Sequence, residues 1–184
     1  SAFSSAARGP TVQELVAIKA LAKPQLIAST ARDRVEARGP DEDATEANLA
    51  TRLWLRARQA GAKTAVAFCR DIRRSRLLVD VLRGAGVRAM HLDGSTSEKD
   101  RKRTLAELRE GIVEVVANAS LLAEGFDEPS LSAVILVRPT QSTALFVQQV
   151  GRALRPYPEK TCGFVIDAIG AAEQHGSAFG RLHR

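Results

Sequence analysis

From residue 64 onward the chain alternates short apolar runs with helical segments of about a dozen residues. The runs are TAVAFC (64–69), VRAMHLDG (87–94), VEVVAN (113–118), SAVILVR (132–138) and CGFVIDA (162–168). A strand that is apolar throughout must bury both faces, and strands joined through helices run parallel. The pattern specifies an α/β fold, a parallel sheet with helices on both faces. The joining segments RRSRLLVDVLRGAG (73–86), STSEKDRKRTLAELREG (95–111) and TALFVQQVGRALR (143–155) read as helices. Ser97 with Asp100 forms a variant capping box for the second, and Gly111 ends it. Gly84 or Gly86 ends the first.

The N-terminal part has a different texture. TVQELVAIKALA (11–22) reads as a short helix with Thr11 as cap and Glu14 three residues on, and PQLIAST (24–30) as a strand. ARDRVEARGPDEDATE (31–46) is charged, broken by Gly39-Pro40, and is expected to be a loop. ANLATRLWLRARQAGAK (47–63) is a helix ending at Gly61, with Trp54 as a packing anchor. Residues 1–46 are therefore expected to be an interdomain linker or N-terminal extension, and 47–184 the domain proper. The length of 184 residues suits one full core. The chain begins with Ser, which allows it to be a fragment of a longer protein.

No run of about 18 apolar residues offers a membrane span. No basic-then-apolar leader opens the chain, so a cytoplasmic location is expected. The two cysteines, Cys69 and Cys162, lie in apolar runs, and no CxxC or HExxH spacing occurs; no metal site is expected. The net charge of +6 favours a polyanionic partner such as nucleic acid, although a solvated basic surface carries the same charge. Aromatic residues make up 4%, so there is little material for recognition by base stacking.

In a parallel α/β sheet, ligands gather at the carboxyl ends of the strands. The loops after Cys69, Leu92, Asn118 and Arg138 are the places to look. They hold RDIRRSR, DGSTS and ASLLAEGFDEPS, rich in the hydroxyls, glycines and arginines that a phosphate-binding edge needs. Further on, VQQVGRALRP (147–156) places Gln148, Arg152 and Arg155 within a stripe about 60° wide on a helical wheel. Phe146, Val150 and Ala153 take nearly the opposite face, so the polar stripe is expected to point away from the core.

These segments together resemble motifs IV, V and VI of superfamily 2 helicases and translocases. LLAEGFDEPSLSAVILVRPTQSTALFVQQVGRALRP (121–156) is similar to motifs V and VI at their usual separation. Gln148, Gly151, Arg152 and Arg155 fit QxxGRxxR. AVAFCRD resembles motif IV, and HLDGSTSEKDR the segment after it that touches the nucleic-acid backbone. The resemblance is nearest to RadD-like and XPB-like DNA helicases and to restriction-enzyme motor subunits, and it runs from about residue 60 to 168. Motif V departs from many relatives in having Ala119 and Ala123, and motif IV is more basic than is typical.

The resemblance implies a RecA-like fold, the second of two such domains between which ATP binds. The first domain supplies the phosphate loop GxxxxGK[ST] and the DExx motif that holds magnesium. In this chain GAKT (61–64) lacks the required order, and DEDA (41–44) follows ARGP where an apolar strand is needed. ATP and Mg2+ are thus expected to be held mainly by a domain other than this one, and the chain by itself to have no ATPase activity.

By the same resemblance Arg152 and Arg155 are the catalytic arginines, Arg155 being the better finger, and Gly125, Asp127 and Gln148 the ATP-binding residues. Arg70, Gly94, Ser95, Asn118 and Ser120 match the row that follows a nucleic-acid strand by its phosphates, with Thr140 a weaker member. The implied partners are DNA, with RNA as the alternative, and the N-terminal RecA-like ATPase domain of a parent protein. Two other readings stay open: a nucleic-acid-binding or regulatory domain without ATPase activity, and the motor fragment of a restriction enzyme.

Overall fold

The computed structural model describes residues 12–36, 41–119 and 128–175. Six strands form one sheet: β1 (Lys23–Ala28), β2 (Ala65–Cys69), β3 (Ala89–Leu92), β4 (Val115–Ala119), β5 (Ala133–Leu136) and β6 (Cys162–Asp167). Their order is β1-β6-β5-β2-β4-β3, and every pairing is parallel. The helices are α1 (Val12–Ala17), α2 (Ala31–Glu36), α3 (Glu42–Gln59), α4 (Ile72–Gly84), α5 (Glu98–Arg109), α6 (Thr143–Leu154) and α7 (Ala171–His175).

Alternation along each strand builds two cores. Ala65, Ala67 and Cys69 of β2, with Ile135 of β5 and Ile166 of β6, face α3 and α4, where Trp54 is fully buried. Val66 and Phe68, with Val116, Val134 and Val165, face Leu108 of α5 and Phe146, Val150 and Ala153 of α6. The helices therefore cover both faces, as the wholly apolar strands require. Ser97 caps α5 by accepting the Asp100 N–H, and Gly111 follows with φ of 73°.

The segment expected as a loop over 31–46 contains α2 and the start of α3. The reason is local. Thr30 and Asp33 form a reciprocal capping box: the Thr30 N–H and hydroxyl donate to Asp33 Oδ2 at 2.8 and 2.6 Å, and the Asp33 N–H donates back at 3.1 Å. Glu42 and Asp43 occupy the first turn of α3, where negative charge suits the helix dipole. Asp43 also pairs with Arg73 and with Arg74 (2.6 Å) across on α4. β1, within the segment read as linker or extension, pairs with β6 from Lys23 to Ala28.

The contact that fixes α6 is at Gly163 in β6. A Cβ there would lie 2.1 Å from the Ala153 carbonyl oxygen, so helix backbone and strand backbone touch directly. Ala22, just before β1, donates to the Leu154 carbonyl at 2.8 Å and ties the same end of the helix to the sheet. Gly163→Ala is expected to cost about 1–3 kcal/mol or more by overpacking, read as a lower urea midpoint of unfolding.

Candidate functional site

Because every strand is parallel, the loops after β2, β3 and β5 emerge along one edge. After β2 comes Arg70, exposed, and then Asp71, which caps α4 by accepting the Arg74 N–H at 2.8 Å. Beside Arg70 a cavity of about 140 Å³ is lined by Arg34, Glu42, Glu46, Leu49 and Pro139. Burial pushes the Glu46 carboxyl up, opposed by the charges of Arg74 and Arg70.

After β3 the chain turns over Asp93–Thr96, closed by the Thr96 N–H to the Asp93 carbonyl at 3.0 Å. Gly94 and Ser95 are exposed on it, whereas Asp93 is buried. Asp93 Oδ1 accepts the Ser95 hydroxyl and the Ser95 N–H (2.8 Å); Oδ2 accepts His91 Nε2 (2.8 Å) and Arg76 Nη2 (3.2 Å). The Ser95 hydroxyl, then His91, hold the Asp93 carboxyl well below the usual carboxylate range. From the sequence Asp93 reads only as part of the DGSTS loop; its role as the buried anchor of that turn is not among the expected site residues.

Asn118 is buried near the end of β4, its amide donating to the Ala67 carbonyl of β2 at 3.0 Å. Thr140, after β5, is also buried; its hydroxyl oxygen accepts the Ser142 N–H at 3.2 Å, and Ser142 caps α6. The Thr140 carbonyl lies 2.7 Å from Nε2 of His175, whose ring stacks on Phe146. Ser120, Gly125 and Asp127 lie outside the described residues.

The basic residues of α4 and α5 are largely committed within the chain. Arg73 and Arg74 pair with Asp43, Arg76 with Asp93, Lys102 with Glu98, and Arg103 with Asp100. Among the described residues no group of three or more histidines, cysteines or carboxylates could hold a metal ion, and no helix is long and apolar enough to cross a membrane.

α6 starts at the carboxyl edge and runs back over the sheet. Its last turn therefore lies beside the start of β6, where Gly163 meets Ala153, and beside Ala22 before β1. The structure thus separates the expected residues into two sets. Arg70, Gly94, Ser95, Asn118 and Thr140 belong to the carboxyl edge; Arg152 and Arg155 belong to the opposite end of α6. Glu128, the residue after Asp127, is at that opposite end too. It pairs with Arg109 of α5 at 2.7 Å and accepts the Ser130 hydroxyl at 2.6 Å. Burial would push the Glu128 carboxyl up, but those bonds together bring it below its usual value.

One expectation for α6 needs correcting. Gln148 and Arg155 are exposed, but Arg152 is buried, with 7% of its surface exposed, and burial lowers its pKa. The wheel explains this. Arg152 sits about 40° from Gln148 on the side toward Gln149, which is also buried. Arg155 leaves the helix in extended geometry (ψ of 135°) as the residue before Pro156. Gly151, just before Arg152, is helical, and a Cβ added there would meet nothing within 4 Å among the described residues.

Residues 47–157, more than half of the chain, match the family described as helicase conserved C-terminal domain. The chain belongs to this family. Over 119 residues it is 31% identical to the 51.5 kDa protein of a Lactococcus phage, a match that covers 65% of this chain and 26% of the phage protein. Over 87 residues it is 32% identical to the putative ATP-dependent helicase IRC3 of Saccharomyces cerevisiae, covering 47% of this chain and 13% of IRC3. The chain thus spans about a quarter or less of these relatives. It superposes with a TM-score of 0.65 and 19% identity on the ATP-dependent type ISP restriction-modification enzyme LlaBIII bound to DNA, over 85% of this chain and 12% of that one. The six-stranded sheet is the RecA-like fold of helicase C-terminal domains, found in superfamily 2 helicases and in restriction motor subunits.

Gly151 costs this helicase domain helical stability that nothing among its described residues repays. Gly151→Ala is expected to stabilise the chain by about 0.5–1 kcal/mol, measured by thermal unfolding.

Proposed function

We propose that this chain is the second motor domain of an ATP-dependent superfamily 2 DNA helicase or translocase. In this reading the carboxyl edge grips the nucleic-acid backbone through Arg70, the Gly94–Ser95 turn, Asn118, Ser120 and Thr140. The last turns of α6 offer Arg152 and Arg155 to an ATP held mainly by an N-terminal RecA-like domain, with Gln148, Gly125 and Asp127 as the further ATP-binding residues. That other domain would carry the phosphate loop and the acidic residues for Mg2+. A guanidinium spreads positive charge over the oxygens of the transferring phosphoryl group, and its planar donor fork suits them.

The observation that carries this reading is the exposed end of α6. Gln148 and Arg155 lie open around a glycine whose missing side chain leaves room that no described residue fills. Such a gap suits the close approach of a ligand or of a second domain. Arg152 is buried and Arg155 exposed, so in this reading Arg155 is the arginine better placed to meet a nucleotide held by another domain.

The arginine assignment is tested in the complete enzyme. Arg155→Ala should lower ATP turnover by about 10³–10⁵ while the circular dichroism of the domain stays native. Normal turnover would remove the finger role. The 184-residue chain assayed separately is expected to show no nucleic-acid-stimulated ATPase activity.

The edge assignment is tested separately by binding. Affinity for a labelled oligonucleotide should fall with salt in a linear log–log plot, for DNA or for RNA. Gly94→Ala places a Cβ in open space within the domain, so it should spare stability yet weaken binding by intruding on the phosphate. Salt-independent binding, or unchanged affinity in Gly94→Ala, would refute the phosphate row.

A further inference from the structure

The turn after β3 holds more than the sequence assigned to it, and its bonding limits what each residue can do. Ser95 has two donors, its N–H and its hydroxyl, and both are given to Asp93 Oδ1. Phosphate oxygens only accept hydrogen bonds, so Ser95 has no proton left for them while the turn is intact. Gly94, beside it, is exposed, and its N–H donates to no described residue. On the other carboxylate oxygen sits Arg76, with 62% of its side chain exposed against 3% for Asp93. Arg76 uses one guanidinium donor on Asp93, at 3.2 Å. A guanidinium has five, so most of its fork remains available for a phosphate.

Asp93 is itself braced from the core. His91 Nε2 must carry a proton to meet the carboxylate at 2.8 Å. His91 Nδ1 then faces the hydroxyl of Ser75, fully buried on α4, also at 2.8 Å. Ser75, His91, Asp93 and Arg76 form one continuous chain of bonds from the interior to the surface. The hydrogen bonds from Ser95 and His91 keep the carboxyl ionised throughout the working pH range.

We propose that Arg76 is an additional phosphate-binding residue of this edge, that Asp93 is the residue that positions both Arg76 and the Gly94 amide, and that Ser95 is a tether of the turn instead of a phosphate donor. This rests on the reading of the carboxyl edge as the nucleic-acid face. Arg76 belongs to α4 and Gly94 to the turn after β3, so Asp93 joins two elements into one backbone grip. An isolated arginine at 62% exposure would lose side-chain entropy on binding; one already anchored loses less.

The test is equilibrium binding of the chain to a fluorescent single-stranded 20-mer DNA across a salt series. Arg76→Ala should weaken binding severalfold and reduce the slope of log K against log salt by about one. Asp93→Asn should reduce the slope likewise and weaken binding at least as much, because the Gly94 turn loosens too; the double variant should bind no worse than Asp93→Asn alone, because Arg76 acts through Asp93. Ser95→Ala should weaken binding by loosening the turn while leaving the slope unchanged. Arg76 is a surface residue, so its variant remains informative even if Asp93→Asn fails to fold. Additive losses in the double variant, an Arg76→Ala slope equal to the parent, or loss of a slope unit in Ser95→Ala would overturn the inference. Gly94→Ala is the reference. If it weakens binding and Arg76→Ala does not, this inference fails and the edge assignment survives; if neither weakens binding, both fail.

Discussion

The direct contact of the α6 backbone with β6 at Gly163 is the constraint on which the rest of the site depends. With no side chain between them, helix and strand meet at the Ala153 carbonyl, where a Cβ would lie at 2.1 Å. This fixes the height of α6 over the sheet and which of its residues are covered. Phe146, Val150 and Ala153 enter the core, Arg152 is drawn under with Gln149, and Gln148 and Arg155 stay outside. The neighbouring bond from Ala22 to Leu154 brings the edge strand β1 to the same place. The end of the arginine helix is thus held from two strands before any ligand arrives.

A second theme is the use of carboxylates as internal anchors for the loops of the carboxyl edge. Asp93 gathers Ser95, His91 and Arg76. Asp167, at the end of β6, accepts the N–H groups of Ile169, Gly170, Ala171 and Ala172 and starts α7. Asp43 gathers Arg73 and Arg74 and locks the start of α3 to that of α4. Each is an acceptor-only group surrounded by donors, which suits a fixed polar joint. The arginines that looked like a loose basic surface in sequence are therefore positioned ones. What they can still offer outward depends on the donors left over.

Much of the sheet was legible because its strands are apolar on both faces and punctuated by glycine. The expected strands at 64–69, 113–118 and 132–138 differ from the observed ones by no more than two residues at either end. The early region was less legible. Charge and Gly39-Pro40 suggested a loop over 31–46, but side-chain capping at Thr30 and Asp33 and a distant ion pair at Asp43 stabilise helices there. The partners of Asp43 on α4 lie outside the local window, where composition cannot signal them, whereas the Thr30–Asp33 box is a local signal that the charge of the segment masked. The short helix α7 was missed for a similar reason, since its start depends on one buried aspartate.

The sequence by itself determined the class of fold, the order of its motifs and the membership in the helicase C-terminal family, because periodicity and motif spacing are properties of the chain. Only the tertiary structure decided which polar residues face outward. The helical wheel grouped Gln148, Arg152 and Arg155 together, yet packing buries one and exposes two. The row of hydroxyls and glycines looked uniform, yet Asn118 bonds to a neighbouring strand and Ser95 to Asp93, while Gly94 is left open. A residue's type fixes the donors it has. The fold decides which of them are already spent.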